Sequence, residues 1–161
     1  MLYGVINVVT GRVRMCQAGH PSPLLIAGNG GVQRPGGGGF PVGLLPNARF
    51  EDIEFSLRPG DRLICHSDGI TECMDPRQQS FGTERLVRQL SRSRRRPLPE
   101  SLAELRDSLN AWHGDKPFED DISLLAIEFR PAPAEATGLN AAPDRPVPFI
   151  HLPPEPARTT P

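Results

Sequence analysis

Residues Glu51 to Leu57 alternate, with Ile53, Phe55 and Leu57 on one face, the pattern of a half-buried strand. Arg62 to Ser67 reads differently. Leu63, Ile64 and Cys65 follow one another without interruption, which predicts a buried strand stopping at Asp68-Gly69. Arg58-Pro59-Gly60-Asp61 between the two carries Pro and Gly where a turn uses them. Earlier in the chain, Leu2 to Val9 is rich in Val, Ile and Tyr, Thr10-Gly11 supplies a turn, and Val13 to Ala18 returns as a second run. That order predicts a β-hairpin. A second hairpin is predicted where Pro23 to Ala27 and Gly31 to Gln33 flank Asn29-Gly30, because Asn and Gly both tolerate positive φ. Pro35 to Gly39 reads as a flexible loop.

The period then lengthens. Leu86, Val87 and Leu90 recur at helical spacing within Gly82 to Ser91, and Leu102, Leu105 and Leu109 do so between Pro99 and Trp112. Pro99 and Glu100 suit a first helical turn. Ile122 to Phe129 is an apolar run that predicts a last strand. Strands, two helices and a returning strand together predict an α+β layered domain with a mainly antiparallel sheet.

Composition divides the chain. Nine of its 19 prolines lie between Pro131 and Pro161, in a segment without hydrophobic periodicity. Residues 131–161 therefore read as a Pro-rich disordered tail, and residues 1–130 as the folded domain. A formal net charge of −1 argues against nucleic acid as a partner. The three cysteines, Cys16, Cys65 and Cys73, are odd in number and form no CxxC pair, so they read as free thiols. No run of about 18 apolar residues exists to span a membrane, and the start lacks a basic then hydrophobic leader. A soluble, cytoplasmic protein is expected.

Acidic residues stand out at two places, in Ser67-Asp68-Gly69-Ile70-Thr71-Glu72 after a buried strand and in Glu119-Asp120-Asp121-Ile122-Ser123 before the last one. If those strands are antiparallel neighbours, Asp68 and Asp120 converge on one sheet edge. Clustered carboxylates raise one another's pKa unless a cation neutralises them, and hard divalent ions accept such oxygen ligands. The bland alternative is a turn at Asp68-Gly69 and a solvated charge run at Glu119 to Asp121.

Several segments in this order resemble the PPM-type phosphatases of the SpoIIE branch, relatives of the PP2C enzymes. Ala18-Gly19-His20-Pro21-Ser22-Pro23-Leu24-Leu25 resembles the family's AGHPPxLL segment, and Phe40-Pro41-Val42-Gly43-Leu44 its G-x-P-L-G-L loop. Leu57 to Asp61 and Ser67 to Glu72 resemble L-x-P-G-D-x-L-x-x-Y-T-D-G-V-T-E. Phe81 to Leu86 and Asp120 to Ser123 resemble the FG-x-x-R-L and DD-I-T elements. The resemblance implies a PP2C-like layered β-sandwich with flanking helices, here without its N-terminal part. It makes Asp68 and Asp120 metal ligands, with Asp121, Gly69 and His20 as supporting neighbours. In the family two Mn²⁺ or Mg²⁺ ions hold a water that attacks phosphoserine or phosphothreonine directly. A phosphorylated protein substrate is implied, such as a STAS-type anti-sigma factor antagonist in bacterial partner switching.

The family's upstream G-G-D-x-x-D-type segment, which supplies the other metal ligands, has no counterpart in this sequence. A truncated, catalytically inactive phosphatase-like domain that binds a protein partner is therefore the alternative. His66 stands where the family usually has Tyr. His20 reads first as a structural loop residue, while His66, His113 and His151 read as incidental. Gly36 to Gly39 lacks the Lys-Ser/Thr of a P-loop. Arg92 and Arg94 to Arg96 read as a solvated helix end, with docking of an acidic partner as the other reading. Trp112 reads as core.

Overall fold

A computed structural model describes residues 1–114 and 117–130. The tail reading for residues 131–161 therefore falls outside the described residues. Seven strands and three helices are formed among those described: β1 (Leu2–Ile6), β2 (Arg12–Gln17), β3 (Leu24–Ile26), β4 (Val32–Gln33), β5 (Asp52–Ser56), β6 (Arg62–His66), α1 (Asp68–Glu72), α2 (Gly82–Arg92), α3 (Leu98–His113) and β7 (Leu124–Glu128).

Strand β6 shows why its run of apolar residues is continuous. Its Ile64 joins one core cluster and its Leu63 another, because successive side chains point to opposite faces. Strand β3 does the same, sending Leu24 and Ile26 one way and Leu25 the other. Both strands lie inside a four-stranded sheet of order β4-β3-β6-β7, in which every pairing is antiparallel. One face packs Ile64, Leu24 and Ile26 against Ile70, Leu86, Leu90, Leu105 and Leu109 of the helices. The other packs Leu25, Leu63 and Phe129 with Val13 of β2 and, half-buried, Phe55 of β5. A three-stranded sheet, order β1-β2-β5, carries those last two residues. The layers are thus sheet, sheet and helices, an α+β architecture that agrees with the layered sandwich expected.

Local chemistry closes the turns. Buried Asp61 accepts hydrogen bonds from the Gly28 amide at 3.0 Å and the Arg58 amide at 2.8 Å, so one carboxylate fixes two turns. Gly11, at φ 74°, lies so close to Leu57 that an added Cβ would stand 2.2 Å from its carbonyl oxygen. Arg62 is buried, pairs with Glu128 at 2.8 Å, and donates to the carbonyls of Ser93 and Arg96. It therefore ties the β6–β7 ladder to the α2–α3 connection.

Three expectations need correction. The first strand ends at Ile6 rather than Val9, because the Asn7 side chain accepts from the amides of Val9 and Thr10 and turns the chain. The last strand begins at Leu124 rather than Ile122, since Ser67 takes the Ser123 amide and the Asp121 carbonyl with its side chain. Asp68 does not merely end a strand; it opens the short helix α1, whose Ile70 drops into the core. Five residues are too few to show a helical period, so this helix was invisible to pattern reading.

Candidate functional site

The edge where β6 ends and β7 begins is set by pairing. The two strands are antiparallel, with His66 opposite Leu124, so Ser67-Asp68 and Asp120 to Ser123 leave the sheet side by side. Ser67 then locks them together. Its amide donates to the Ser123 carbonyl at 3.0 Å, its hydroxyl donates to the Asp121 carbonyl at 2.8 Å, and the same oxygen accepts from the Ser123 amide at 2.9 Å. Sequence reading gave Ser67 no role; only its position next to Asp68-Gly69 hinted at one.

Gly69 explains how close the two segments come. A Cβ there would stand 2.6 Å from the Asp121 carbonyl oxygen and 3.5 Å from the Asp120 Cβ. No larger residue allows this approach without movement. Asp120 is therefore brought against the residue that follows Asp68, as the antiparallel reading expected. Both aspartates are exposed. Asp68 Oδ1 accepts from the Gly69 amide at 3.2 Å, and Asp120 Oδ1 from the Asp121 amide at 2.7 Å. Their Oδ2 atoms have no hydrogen-bond partner among the described residues.

Beside Asp120 lies a cavity of about 150 Å³, lined among others by Gly69, Glu72, Cys73, Glu119 and Asp120. Glu72 and Glu119 stand in the two acidic segments of the sequence, which assigned neither of them a role of its own. His113 also reaches this cavity. It is buried, its two ring nitrogens lie 2.9 Å from the Met74 and Pro117 carbonyls, and Phe118 stacks on it. Incidental by sequence alone, it anchors the end of α3 to the chain on both sides.

His20 and Asp121 take different places. The Asp121 carbonyl is held by Ser67, whereas His20 Nδ1 faces its own neighbour, the Pro21 carbonyl, at 2.9 Å. Among the described residues no hydrogen bond joins His20 to Asp68 or Asp120. His66 is buried, and burial lowers its pKa; the nearby charges of His20 and Arg34 push the same way, while the Ser67 carbonyl and Asp68 oppose. The thiols of Cys16, Cys65 and Cys73 are all raised by burial, Cys73 further by Glu119 and Cys16 by Asp52. They sit as inert free thiols should.

The donor set at this edge suits a hard divalent cation in kind: exposed carboxylate oxygens with free lone pairs. It falls short in number. Among the described residues no group of three or more His, Cys, Asp or Glu is placed to hold one ion. Asp68 and Asp120 bring two carboxylates to this edge.

Comparison with known proteins bears on what this fold belongs to. The family model of Stage II sporulation protein E (SpoIIE) matches residues 1–130. Protein IcfG of Synechocystis sp. is 29% identical over 128 residues, which is 79% of this chain and 20% of that protein. The SiaA-PP2C domain of Pseudomonas aeruginosa superposes with a TM-score of 0.67 at 24% identity, over 75% of this chain and 48% of that one. The RsbU and RsbW domains of Rv1364c from Mycobacterium tuberculosis give 0.69 at 24% identity, over 82% and 36% respectively. The phosphatase domain of SpoIIE from Bacillus subtilis, in a Mn-presoaked form, gives 0.65 at 16% identity, over 87% and 60%. The chain thus spans from a fifth to three fifths of the length of these relatives. The architecture is that of PP2C phosphatase domains in part. Since the family match runs from the first strand to the end of the last, the chain belongs to the SpoIIE family.

Proposed function

We propose that this chain carries part of the active centre of a metal-dependent protein serine/threonine phosphatase, with Asp68 and Asp120 as metal ligands. The convergence of those two aspartates on the β6–β7 edge carries the reading. Each carboxylate keeps Oδ2 free while Oδ1 is held by a backbone amide, so each is oriented by the fold and still open to a cation. Ser67 and the Asp121 carbonyl hold the two chain segments in register, and Gly69 permits their contact. Mn²⁺ or Mg²⁺ bound there would supply a water of lowered pKa and neutralise charge on a phosphoryl group. Phosphoserine or phosphothreonine of a protein is the substrate class, an anti-sigma factor antagonist of STAS type in partner switching being the specific one. A cytoplasmic place goes with that pathway; no helix among the described residues is long and apolar enough to cross a membrane.

A second reading has its own observation. Two carboxylates without a third partner among the described residues fit a non-catalytic, partner-binding module of the same fold. Phosphatase assays with Mn²⁺ on the 161-residue chain, its Asp68→Asn variant and its Asp120→Asn variant separate the two. The phosphatase reading expects each variant to lose about 10- to 100-fold or more in rate, as is usual when a metal site loses even an outer partner. Activity equal in wild type and Asp68→Asn removes Asp68 from the site. A wild-type chain with neither turnover nor calorimetrically detectable Mn²⁺ binding leaves the module.

A further inference from the structure

Opposite in charge to the aspartate edge, a groove of about 310 Å³ runs between α2 and α3. Arg85, Arg88 and Arg92 line one wall, Ala111 forms part of the other, and Phe81 and Trp112 lie within it. The arginines recur at i, i+3 and i+7, so they share one helix face. Like charges at this spacing oppose helix formation, and something must offset the cost.

Of the other arginines nearby, Arg95 is exposed but does not line the groove, and three are engaged inside the molecule. Arg62 is paired with Glu128, Arg96 with Glu104 at 2.6 Å, and Arg94 donates to the Ser91 carbonyl at 2.9 Å. Arg85 donates to the Ser80 and Phe81 carbonyls and lies over the Trp112 ring, 4.2 Å from its centroid. Arg88 and Arg92 are different. Both are exposed, and neither side chain has a hydrogen bond or ion pair among the described residues. Trp112 is fixed rather than loose: its indole N–H donates to the Cys73 carbonyl at 3.1 Å, and it meets Phe81 edge-on at 5.9 Å. Two uncommitted guanidinium groups beside a rigid, half-open Trp are the ingredients of a protein-binding hot spot.

We propose that this groove docks an acidic segment of a partner protein. Carboxylates of the segment pair with Arg88 and Arg92, and an apolar side chain between them rests on Trp112 and Ala111. The size supports this choice, because about 310 Å³ is at the small end of ligand pockets and seats a few side chains with their backbone outside. Charge supports it as well. The net charge of the whole chain is −1, without the basic excess of a nucleic-acid binder, while three arginines line this one groove. The Cys73 carbonyl that holds Trp112 belongs to a residue lining the cavity beside Asp120, so one hydrogen bond links the two regions. The inference does not depend on hydrolysis at that edge.

Trp112 is the single tryptophan of the sequence and lines the groove, so tryptophan fluorescence reads its surroundings. The 161-residue chain is titrated with a 12-residue peptide carrying Glu at i, i+4 and i+7 around a leucine, with its Glu→Gln counterpart, and with 12-nucleotide single-stranded DNA. The acidic peptide is expected to give a saturable change that weakens with added salt. Arg88→Glu with Arg92→Glu is expected to weaken it about tenfold or more with the melting temperature unchanged, while Arg77→Glu, outside the groove, has no effect. No saturable response overturns the proposal. So does equal binding of the Gln peptide, or affinity unchanged by the Arg88 and Arg92 reversals. Tighter binding of DNA overturns the partner class.

Discussion

The two sheets of this domain are built from similar residues and meet different fates. In the four-stranded sheet, β6 is buried at every position but the half-buried Cys65, while in the three-stranded sheet β1 turns Tyr3 and Val5 to solvent, 61% and 52% exposed. The difference is position in the stack. A strand covered by helices on one face and a second sheet on the other has no exposed side, whereas an outer sheet keeps one. The candidate site grows from the end of the doubly covered strand. Rigid support on both faces is what holds functional side chains to a fixed geometry.

The same contrast holds for charge. Arg62, 5% exposed, reaches Glu128 and two carbonyls across the inner sheet and the helices. Arg14 of the outer sheet pairs with Asp52 at 2.6 Å but in the open, with side chains 40% and 34% exposed. Urea unfolding of Arg62→Ala is expected to show a loss of about 3–5 kcal/mol, because Glu128 and the carbonyls are left without their partner. Arg14→Ala should cost no more than about 1 kcal/mol. Equal losses would end the claim that the two sheets differ.

Gly69→Ala sharpens the comparison at the site itself. The new methyl would meet the Asp121 carbonyl oxygen at 2.6 Å, so the β6–β7 edge must part, at a cost of about 1–3 kcal/mol. Gly37→Ala, where a Cβ meets nothing within 4 Å, should change stability by less than about 0.5 kcal/mol. A similar small value at Gly69 would mean the two aspartate segments are not held in contact.

The smallest effect expected is one of pH. Burial pushes the Glu128 carboxyl up, but hydrogen bonds from Arg130 and Arg62, with their charges, outweigh it and the net shift is downward. A carboxyl lowered on folding contributes stability that is complete above its unfolded pKa, about 4.3, and is lost as pH falls through the folded value. Melting temperatures between pH 6 and pH 3 should therefore fall less steeply in Glu128→Gln than in wild type, from a lower start. Parallel curves would show that Glu128 does not carry this part of the acid sensitivity.

Much of this was legible in the residues. Alternation found β5, the unbroken Leu63-Ile64-Cys65 run found β6, and helical spacing found α2 and α3. Asn29-Gly30 marked the β3–β4 hairpin. The antiparallel assumption that joined Asp68 to Asp120 agrees with the β6–β7 ladder. Other features left no trace. Ser67 looks like any serine before a turn, yet three hydrogen bonds run through it to residues more than fifty positions away. Trp112, read as core, does pack against the buried cluster, but it also opens onto the arginine groove. The basic cluster read at Arg92 and Arg94 to Arg96 divides: Arg94 and Arg96 are used locally, Arg95 is exposed outside the groove lining, and Arg92 joins Arg88 in the groove.

By itself the sequence determined most of the strands, the two longer helices and the chemical character of the two aspartates, because periodicity and oxygen-donor hardness are properties of residues and their neighbours along the chain. Tertiary structure alone decided which arginines are left without a partner, how closely Gly69 lets Asp120 approach, and that Ser67 is the clamp. Those depend on distances between segments far apart in sequence, and such distances are set only when the sheets and helices pack.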